Sequence, residues 1–259
     1  MKLLNGKTGV IFGIANERSI AWHIAKEAIE AGARCAFSFL PSEKMERRVR
    51  KTLEDGGIEN PWLHPCDLTS DADLDRLFSA LSDDFAKIDF VVHSVAYANR
   101  NYLKPGTFVE TPRDVFAQAL DISAYTLIAI ANRARALMKD GGSILTLTYY
   151  GAEKAMPGYN VMGVAKSALE SAARYLAAEL GKEGIRVNCL SAGPCRTLAA
   201  TAIGGLDRIL DEMERRSPLR RNILTDEVGK AAVYLLSDLA SAVTGETHHV
   251  DAGYHAIGG

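Results

Sequence analysis

The sequence predicts a fold of the α/β class, a doubly wound parallel sheet in one domain with helices on both faces. Short apolar runs alternate along the whole chain with longer amphipathic segments, which is typical of parallel strands joined by helical crossovers. Several of the short runs are continuously apolar, as strands covered on both faces are. No proline-rich linker, repeat or low-complexity tract divides the 259 residues, so we expect one domain over residues 1–259.

Seven apolar runs are predicted to form the strands of this sheet. In chain order they are KTGVIFG, ARCAFSFL, PWLHPCD, IDFVVHSV, GSILTLTYY, IRVNCLSAG and GETHHVDAG. The helices predicted between them cover residues 19–31, 43–54, 71–85, 113–138, 159–180 and 226–237. Residues 197–221 are predicted to be an irregular insertion, in which the segment TAIGGLDRILDEMERR contains a further helix.

The composition narrows the possible function classes. The chain is 47% apolar and 24% charged with a formal net charge of -2, which is ordinary for a soluble globular protein and does not favour nucleic acid as a partner. No signal peptide precedes the first apolar run, and no apolar stretch approaches the roughly 20 residues that span a bilayer, so we expect no membrane association. The four cysteines form no CxxC pair, as is usual for reduced core thiols, and we expect a cytoplasmic protein.

A doubly wound sheet binds ligands beyond the carboxyl ends of its strands, so the residues that follow the strands form the candidate site. After the first strand, Gly13 allows a tight turn, and Ser19 and Ile20 open a helix whose amino end suits a pyrophosphate; the alternative is a simple turn. After the third strand, the carboxylate of Asp67 either accepts an adenine amino group or caps the next helix. After the fourth strand, the small residues of HSVAYA either support a flat ring or pack a loop.

Two tyrosines and a lysine follow the fifth strand. Tyr149 ends the strand, and Tyr159 and Lys166 lie seven residues apart on the next helix, which corresponds to two turns and about 10.5 Å along the axis. Their three polar tips are therefore predicted to meet at one edge of the sheet. The alternative is a pair of core tyrosines and a solvated lysine, which the combination with the glycine turn, Asp67 and the later SAGPCRT segment disfavours.

Six segments, in a consistent order and nearly end to end, resemble the bacterial enoyl-acyl-carrier-protein reductases of the short-chain dehydrogenase/reductase superfamily. They are GIANERSIA, CDL, HSVAYA, TLTYYGAEKAMPGYNVMGVAK, RVNCLSAGPCRTLAA and GETHHVDAGYH. The Tyr-x6-Lys spacing is the most specific element, because the larger branch of the superfamily has Tyr-x3-Lys and a TGxxxGxG turn. The resemblance implies a Rossmann-like fold and a reductase of type II fatty acid synthesis, which transfers hydride from a nicotinamide cofactor to the β-carbon of a trans-2-enoyl thioester.

The resemblance also implies a role for individual residues. Tyr149, Tyr159 and Lys166 would be catalytic: Lys166 would hold the nicotinamide ribose, and both tyrosines, with Ala98, would contact the substrate. The further cofactor contacts that it implies are Gly13, Ser19, Ile20, Leu40, Asp67, Leu68, Val95, Cys195, Arg196, Thr197, Leu198 and Ala199. Residues from about 197 to 221 would form a flap over the acyl chain.

The reaction explains why this lysine can lie two turns from the tyrosine. In an enoyl reductase, negative charge collects on the thioester oxygen as an enolate, and a neutral hydrogen-bond donor placed there stabilises it. A phenol with an ordinary pKa near 10 is already such a donor at neutral pH. The lysine is therefore not needed beside the phenol and is free to bind the ribose.

The choice of cofactor depends on the end of the second strand. Leu40 stands where the family often has a polar side chain that recognises the adenosine ribose. Lys44, Arg47 and Arg48 follow it and would suit a 2′-phosphate, yet helix arginines near glutamates usually face solvent. We therefore favour NADH over NADPH.

The segment after the flap departs from the family at the expected docking surface for the acidic acyl carrier protein. Gly204, Gly205 and Asp207 stand where related enzymes tend to carry bases, which leaves mainly Arg208. The docking surface is therefore either weaker here or built from Arg215 and Arg216.

The remaining expectations concern assembly, metals and rival functions. The predicted helices over 113–138 and 159–180 are apolar around more than one face, which indicates burial against another subunit and favours the homotetramer usual in the superfamily. His248 and His249 have no third ligand at a suitable spacing, so we expect no metal. Two other functions stay open: a short-chain ketone or alcohol dehydrogenase, and a non-catalytic dinucleotide-binding regulator.

Overall fold

The structure, a computed structural model, describes residues 2–197 and 206–257. Its centre is a parallel seven-stranded sheet with the strand order β3-β2-β1-β4-β5-β6-β7. The strands are β1 (Thr8–Phe12), β2 (Arg34–Phe39), β3 (Trp62–Pro65), β4 (Phe90–His93), β5 (Gly142–Thr148), β6 (Ile185–Ala192) and β7 (Thr247–Val250). All seven predicted strands are therefore confirmed, and so is their parallel arrangement.

Eight α-helices occur in the described residues and cover both faces of the sheet. They are α1 (Ile20–Glu30), α2 (Glu43–Asp55), α3 (Asp71–Asp84), α4 (Arg113–Leu120), α5 (Thr126–Ala134), α6 (Asn160–Leu180), α7 (Leu206–Arg216) and α8 (Thr225–Leu236). Apolar side chains of α1, α2 and α8 pack in one core, and those of α3, α5 and α6 pack in a second core on the opposite face. The predicted doubly wound, Rossmann-like architecture is confirmed.

The prediction of one continuous helix over residues 113–138 is wrong. A π-helical turn, Asp121–Tyr125, separates α4 from α5, and α5 ends at Ala134. The turn places Ser123 so that its Oγ accepts a hydrogen bond from the Tyr97 N–H (3.0 Å) and donates one to the Tyr97 carbonyl (3.1 Å). The extra residue in the turn thus allows one buried side chain to hold the loop that follows β4.

The same stretch also corrects the expectation that no segment is long and apolar enough to cross a membrane. By length and composition alone, residues Arg113–Ala134 meet that criterion. Half of its 18-residue apolar window is buried inside the fold, where α4 and α5 pack on α3 and α6. Packing within the fold thus accounts for part of the apolar character of this stretch, and one such helix is weak evidence for a membrane span.

The further helix predicted in the insertion at residues 197–221 is present as α7. Leu206, Leu210 and Met213 follow a helical spacing, and the last two are buried. Helix α7 therefore packs an apolar stripe onto the domain and turns its charged residues to solvent.

Because the strands are parallel, their carboxyl ends meet at one edge of the sheet. The register pairs Phe12 with His93 across β1 and β4, and Thr148 with Ser191 across β5 and β6. The loops that follow these four central strands therefore begin side by side, which brings together the segments that carry the candidate site residues.

Candidate active site

A cavity of about 760 Å³ opens at the carboxyl edge of the sheet. The loops after β1, β4, β5 and β6 line it, together with α6 and α7, and its volume suits a small-molecule ligand. The predicted site residues that line this cavity are Gly13, Ser19, Ile20, Val95, Ala98, Tyr149, Tyr159, Lys166, Cys195 and Thr197. The structure thus brings together the residues that the sequence placed after four different strands.

The turn between β1 and α1 forms one wall of the cavity. Gly13 has a φ of +102°, and a Cβ atom there would lie 2.0 Å from the carbonyl oxygen of Ser94, so only glycine fits. The hydroxyl of Ser19 accepts hydrogen bonds from the N–H groups of Ala15 (3.0 Å) and Asn16 (3.1 Å), which hold the turn closed. The first residue of α1, Ile20, then lies at the cavity wall, so the amino end of α1 faces the site.

The two tyrosines meet on the opposite side of the cavity. Tyr149 follows β5 directly, and Tyr159 occupies the position before α6, with their ring centroids 5.0 Å apart in an edge-to-face arrangement. A Cβ atom on Gly151 would lie 2.4 Å from the Tyr159 ring, so this glycine is what allows the ring to sit there. Burial raises the pKa of both phenols well above the ordinary value, and therefore both are neutral at physiological pH.

Lys166 reaches the same cavity from the second turn of α6. It is 5% exposed, and its Nζ donates a hydrogen bond of 2.6 Å to the carbonyl of Leu147 in β5. Burial lowers the pKa of this ammonium from 10.5 to about 8, against the opposing attraction of Cys189 and Glu170. The lysine is therefore not a surface cation, which excludes the alternative of a solvated lysine.

Glu170 is a buried carboxylate behind the cavity wall that the sequence analysis missed. It lies one helical turn after Lys166 and accepts a hydrogen bond of 2.7 Å from the hydroxyl of Thr148, the last residue of β5. Burial is the main reason that the pKa of its carboxyl is raised. Two successive turns of α6 are therefore tied to two successive residues of β5, and a glutamate four residues after the lysine in an alanine-rich helix was the available signal.

His93 is a second buried polar residue to which the sequence analysis gave no role. It ends β4, is fully buried, and its Nδ1 and Nε2 lie 2.8 and 2.9 Å from the hydroxyls of Thr146 and Thr126. Burial is the main cause that lowers the pKa of the imidazole to about 3, and the charge of Lys166 is the second, so the ring stays neutral. It links β4, β5 and α5 without adding a second cation beside Lys166.

The residues predicted to recognise the adenosine end lie beyond the main cavity. Leu40 follows β2 and is 57% exposed, and Leu68 packs partly against the core. The carboxylate of Asp67 accepts hydrogen bonds from the N–H (2.9 Å) and hydroxyl (2.7 Å) of Thr69, whereas Ser70 caps α3. Asp67 thus stabilises the turn before α3, which is close to the capping alternative, and its contact with adenine stays a prediction.

The segment after β6 is described only in part. Cys195 and Thr197 are buried at the cavity, while Arg196 is exposed and pairs with Asp207 at 2.7 Å. The predicted cofactor contacts Leu198 and Ala199, and the glycines at positions 204 and 205, lie outside the described residues.

Comparison with known proteins identifies the family. The family described as enoyl-(acyl carrier protein) reductase matches residues 13–255. The chain is 54% identical to enoyl-[acyl-carrier-protein] reductase [NADH] 1 of Rhizobium meliloti, over 99% of this chain and 93% of that protein. It is 49% identical to the corresponding NADH enzyme of Bacillus cereus over the full length of both.

Solved structures agree with these sequence relatives. The Bacillus cereus enoyl-acyl-carrier-protein reductase with NADP+ and indole naphthyridinone has a TM-score of 0.96 and 49% identity, with full coverage of both chains. The enzyme of Anaplasma phagocytophilum in complex with NAD has a TM-score of 0.93 and 47% identity, covering 99% of this chain and 95% of that one. The match of the family model over most of the chain, and the full-length identity to these relatives, show that the chain belongs to the enoyl-acyl-carrier-protein reductase family.

Proposed function

We propose that the protein is an NADH-dependent enoyl-acyl-carrier-protein reductase of type II fatty acid synthesis. It reduces the carbon–carbon double bond of a trans-2-enoyl thioester carried by acyl carrier protein. The observation that carries this proposal is the convergence of Tyr149, Tyr159 and Lys166 on one cavity at the carboxyl edge of the sheet. The relatives named as NADH enzymes support the choice of reaction and of cofactor.

The cavity wall fits a dinucleotide in three respects. The glycine turn after β1 leads into the amino end of α1, where backbone N–H groups suit a pyrophosphate. Small residues after β4, including Val95, leave room for a flat ring. An ammonium has three donors, and Lys166 uses one of them on Leu147, so two are free for ribose hydroxyls.

A nicotinamide cofactor whose ribose is held by Lys166 would supply the hydride that adds to the β-carbon of the substrate. The π electrons of the double bond then move toward the thioester, and negative charge develops on its carbonyl oxygen. The neutral phenol of Tyr159 donates a hydrogen bond to that oxygen, with Tyr149 beside it, and stabilises the enolate. A proton delivered to the α-carbon from water or a relay completes the reduction.

The preference for NADH follows from the residues near the end of β2. Leu40 has no charge to offset a 2′-phosphate, and Arg47 donates from Nε to the carbonyl of Glu43 on its own helix (3.3 Å). The proposed contacts of Leu40, Asp67 and Leu68 with the adenosine end, and of Arg196 to Ala199 with the cofactor, complete the binding site.

The experiment that tests the function compares two thioesters with the same protein. NADH oxidation is followed by nicotinamide absorbance with a crotonyl thioester, an acetoacetyl thioester or neither, and the products are identified by mass spectrometry. We expect reduction of the crotonyl double bond and essentially no reduction of the acetoacetyl ketone. A 3-hydroxy product would instead favour the ketone dehydrogenase, and cofactor binding without turnover would favour the regulator.

We also propose a cytoplasmic homotetramer. Apolar side chains are exposed on the faces of α4, α5 and α6 and on the π-helical turn, as burial against another subunit requires: Phe116, Tyr125, Ile128, Val164 and Tyr175. Residues 197–221, with α7 as their helical part, are proposed to form the flap over the acyl chain. Analytical ultracentrifugation tests the assembly, and a monomer at micromolar concentration would contradict it.

A further inference from the structure

The charges of α7 do not suit an acidic partner. The helix carries four carboxylates and three arginines. Arg196 pairs with Asp207 (2.7 Å), and Glu212 binds both Arg215 and Arg216 (3.0 Å each). The arginines at 215 and 216, which the sequence suggested as a substitute docking surface, are thus largely neutralised by their own helix.

The other side of the cavity has a different charge. Arg100 lines the cavity itself, Lys104 follows the lining residue Leu103, and Lys154 lies two residues before the lining residue Met156. All three cations are exposed, and within the described part of the chain none of them lies within ion-pair distance of a carboxylate. Their charge is therefore available to a partner. We call Arg100, Lys104 and Lys154 the basic rim.

Local hydrogen bonds hold the basic rim close to the reacting groups. The side-chain amide of Asn160, the residue after Tyr159, donates to the carbonyls of Tyr102 (2.7 Å) and Lys104 (2.8 Å). Glu153, the carboxylate next to Lys154, is engaged by His249 at 2.7 Å. A partner bound at the basic rim would therefore sit at the cavity entrance, next to the tyrosine that acts on the thioester.

From this charge distribution we infer that the acidic acyl carrier protein docks on the basic rim and not on α7. The inference rests on the proposed function, since it names the surface that receives the carried substrate. Opposite charges steer such an encounter and raise its association rate. Two exposed apolar residues continue the surface a few residues further along the loop, Phe108 and the 91% exposed Val109, and supply the apolar contact that a docking surface needs.

The test uses the double variant Lys104→Glu/Lys154→Glu, in which neither side chain lines the cavity. The substrates are crotonyl-acyl carrier protein and the uncharged crotonyl-pantetheine thioester, each with NADH. At low ionic strength we expect kcat/KM for the carrier-bound substrate to fall about tenfold, with kcat/KM for the pantetheine thioester unchanged. The difference from wild type should largely vanish at about 0.5 M salt, where such charges are screened.

Two matched charge reversals serve as controls. Lys182→Glu changes an exposed lysine at the opposite edge of the sheet, and Arg208→Glu changes the remaining arginine of α7. Lys182→Glu should leave the carrier-bound rate within about twofold of wild type, and Arg208→Glu should lower kcat/KM no more for the carrier-bound substrate than for the pantetheine thioester, as expected for charges outside the encounter surface. A tenfold loss in Arg208→Glu with none in the rim variant would place docking on α7 and overturn the inference.

The failure of docking and of the proposed function can be told apart. Equal losses for both substrates in the rim variant would mean damage to the site and would also overturn the inference. If wild type failed to reduce the pantetheine thioester and the carrier-bound substrate alike, the proposed reductase function would be wrong, and the docking inference would fall with it.

Discussion

The substitution Tyr159→Phe removes the hydroxyl that we propose stabilises the enolate and leaves the buried ring in place. Neither phenol forms a hydrogen bond with another group in residues 2–197 and 206–257, so the variant loses no hydrogen bond to that part of the chain. We expect the free energy of unfolding to change by less than about 1 kcal/mol. Deleting one such preorganised donor costs about 10² to 10³ in kcat, or roughly 3–4 kcal/mol of transition-state stabilisation.

The pH dependence of the rate separates a neutral donor from a general base. Because burial raises the pKa of Tyr159 above its ordinary value, the phenol keeps its proton throughout the neutral range. Steady-state kinetics with crotonyl thioester should therefore show no rise of kcat between about pH 6 and 8, in wild type or in the variant. NADH affinity should stay within about twofold of wild type, since the ribose contacts belong to Lys166.

Either of two results would refute this account of Tyr159. A loss of less than about tenfold in kcat, with a folded variant, would mean that the hydroxyl is not the enolate donor. A rising limb in the neutral range that disappears in Tyr159→Phe would mean that the phenol ionises and acts as a base. Tyr149→Phe is the matched control, because its ring lies at the same cavity while its hydroxyl has only a secondary place in the mechanism.

Three further predictions concern the lysine and the cofactor. Lys166→Ala should weaken NADH binding by about 1.5–3 kcal/mol, the range for a charge-assisted hydrogen bond, and calorimetry on the folded variant would contradict this if affinity were unchanged. Without cofactor, the pKa of Lys166 is about 8 in the folded protein and 10.5 in the unfolded chain, so the unfolded state binds more protons between these pH values. In urea unfolding, the free energy of unfolding of wild type should therefore rise by up to about 3 kcal/mol relative to Lys166→Met as the pH increases through that window. No relative rise would argue against the burial of the ammonium. The ratio of kcat/KM should favour NADH over NADPH because Leu40 is apolar, and an NADPH preference that disappears in Arg47→Ala or Arg48→Ala would show that the basic run binds a 2′-phosphate.

The sheet could be predicted because its strands are buried on both faces. Runs such as IDFVVHSV are continuously apolar, and each is separated from the next by a helix-length segment, which leaves parallel pairing as the natural arrangement. The long helix over residues 113–138 was predicted wrongly for a physical reason. A π-helical turn adds one residue to an otherwise helical pattern, and the apolar spacing on either side barely records it.

The site residues could be predicted where their type and spacing indicate a chemical role. Tyr149, Tyr159 and Lys166 stand out because a phenol pair and an ammonium are unusual in an apolar segment at the end of a strand. Glu170 and His93 do not stand out, since a lone glutamate or histidine near a helix or strand is common in any sequence. Their importance lies in burial and in long-range hydrogen bonds to Thr148, Thr146 and Thr126, which only the folded chain reveals.

The π-helical turn Asp121–Tyr125 makes the length of this segment a constraint separate from its composition. Each residue of a helix turns by about 100°, so deleting one residue to restore a regular α-helix would rotate α5 by that angle relative to α4. Ser123 would then leave the backbone of Tyr97, and the side chains of α5 that now pack into the core would swing toward solvent. Inserting or deleting a single residue in this segment is therefore expected to destabilise the fold more than a substitution at one of its exposed positions.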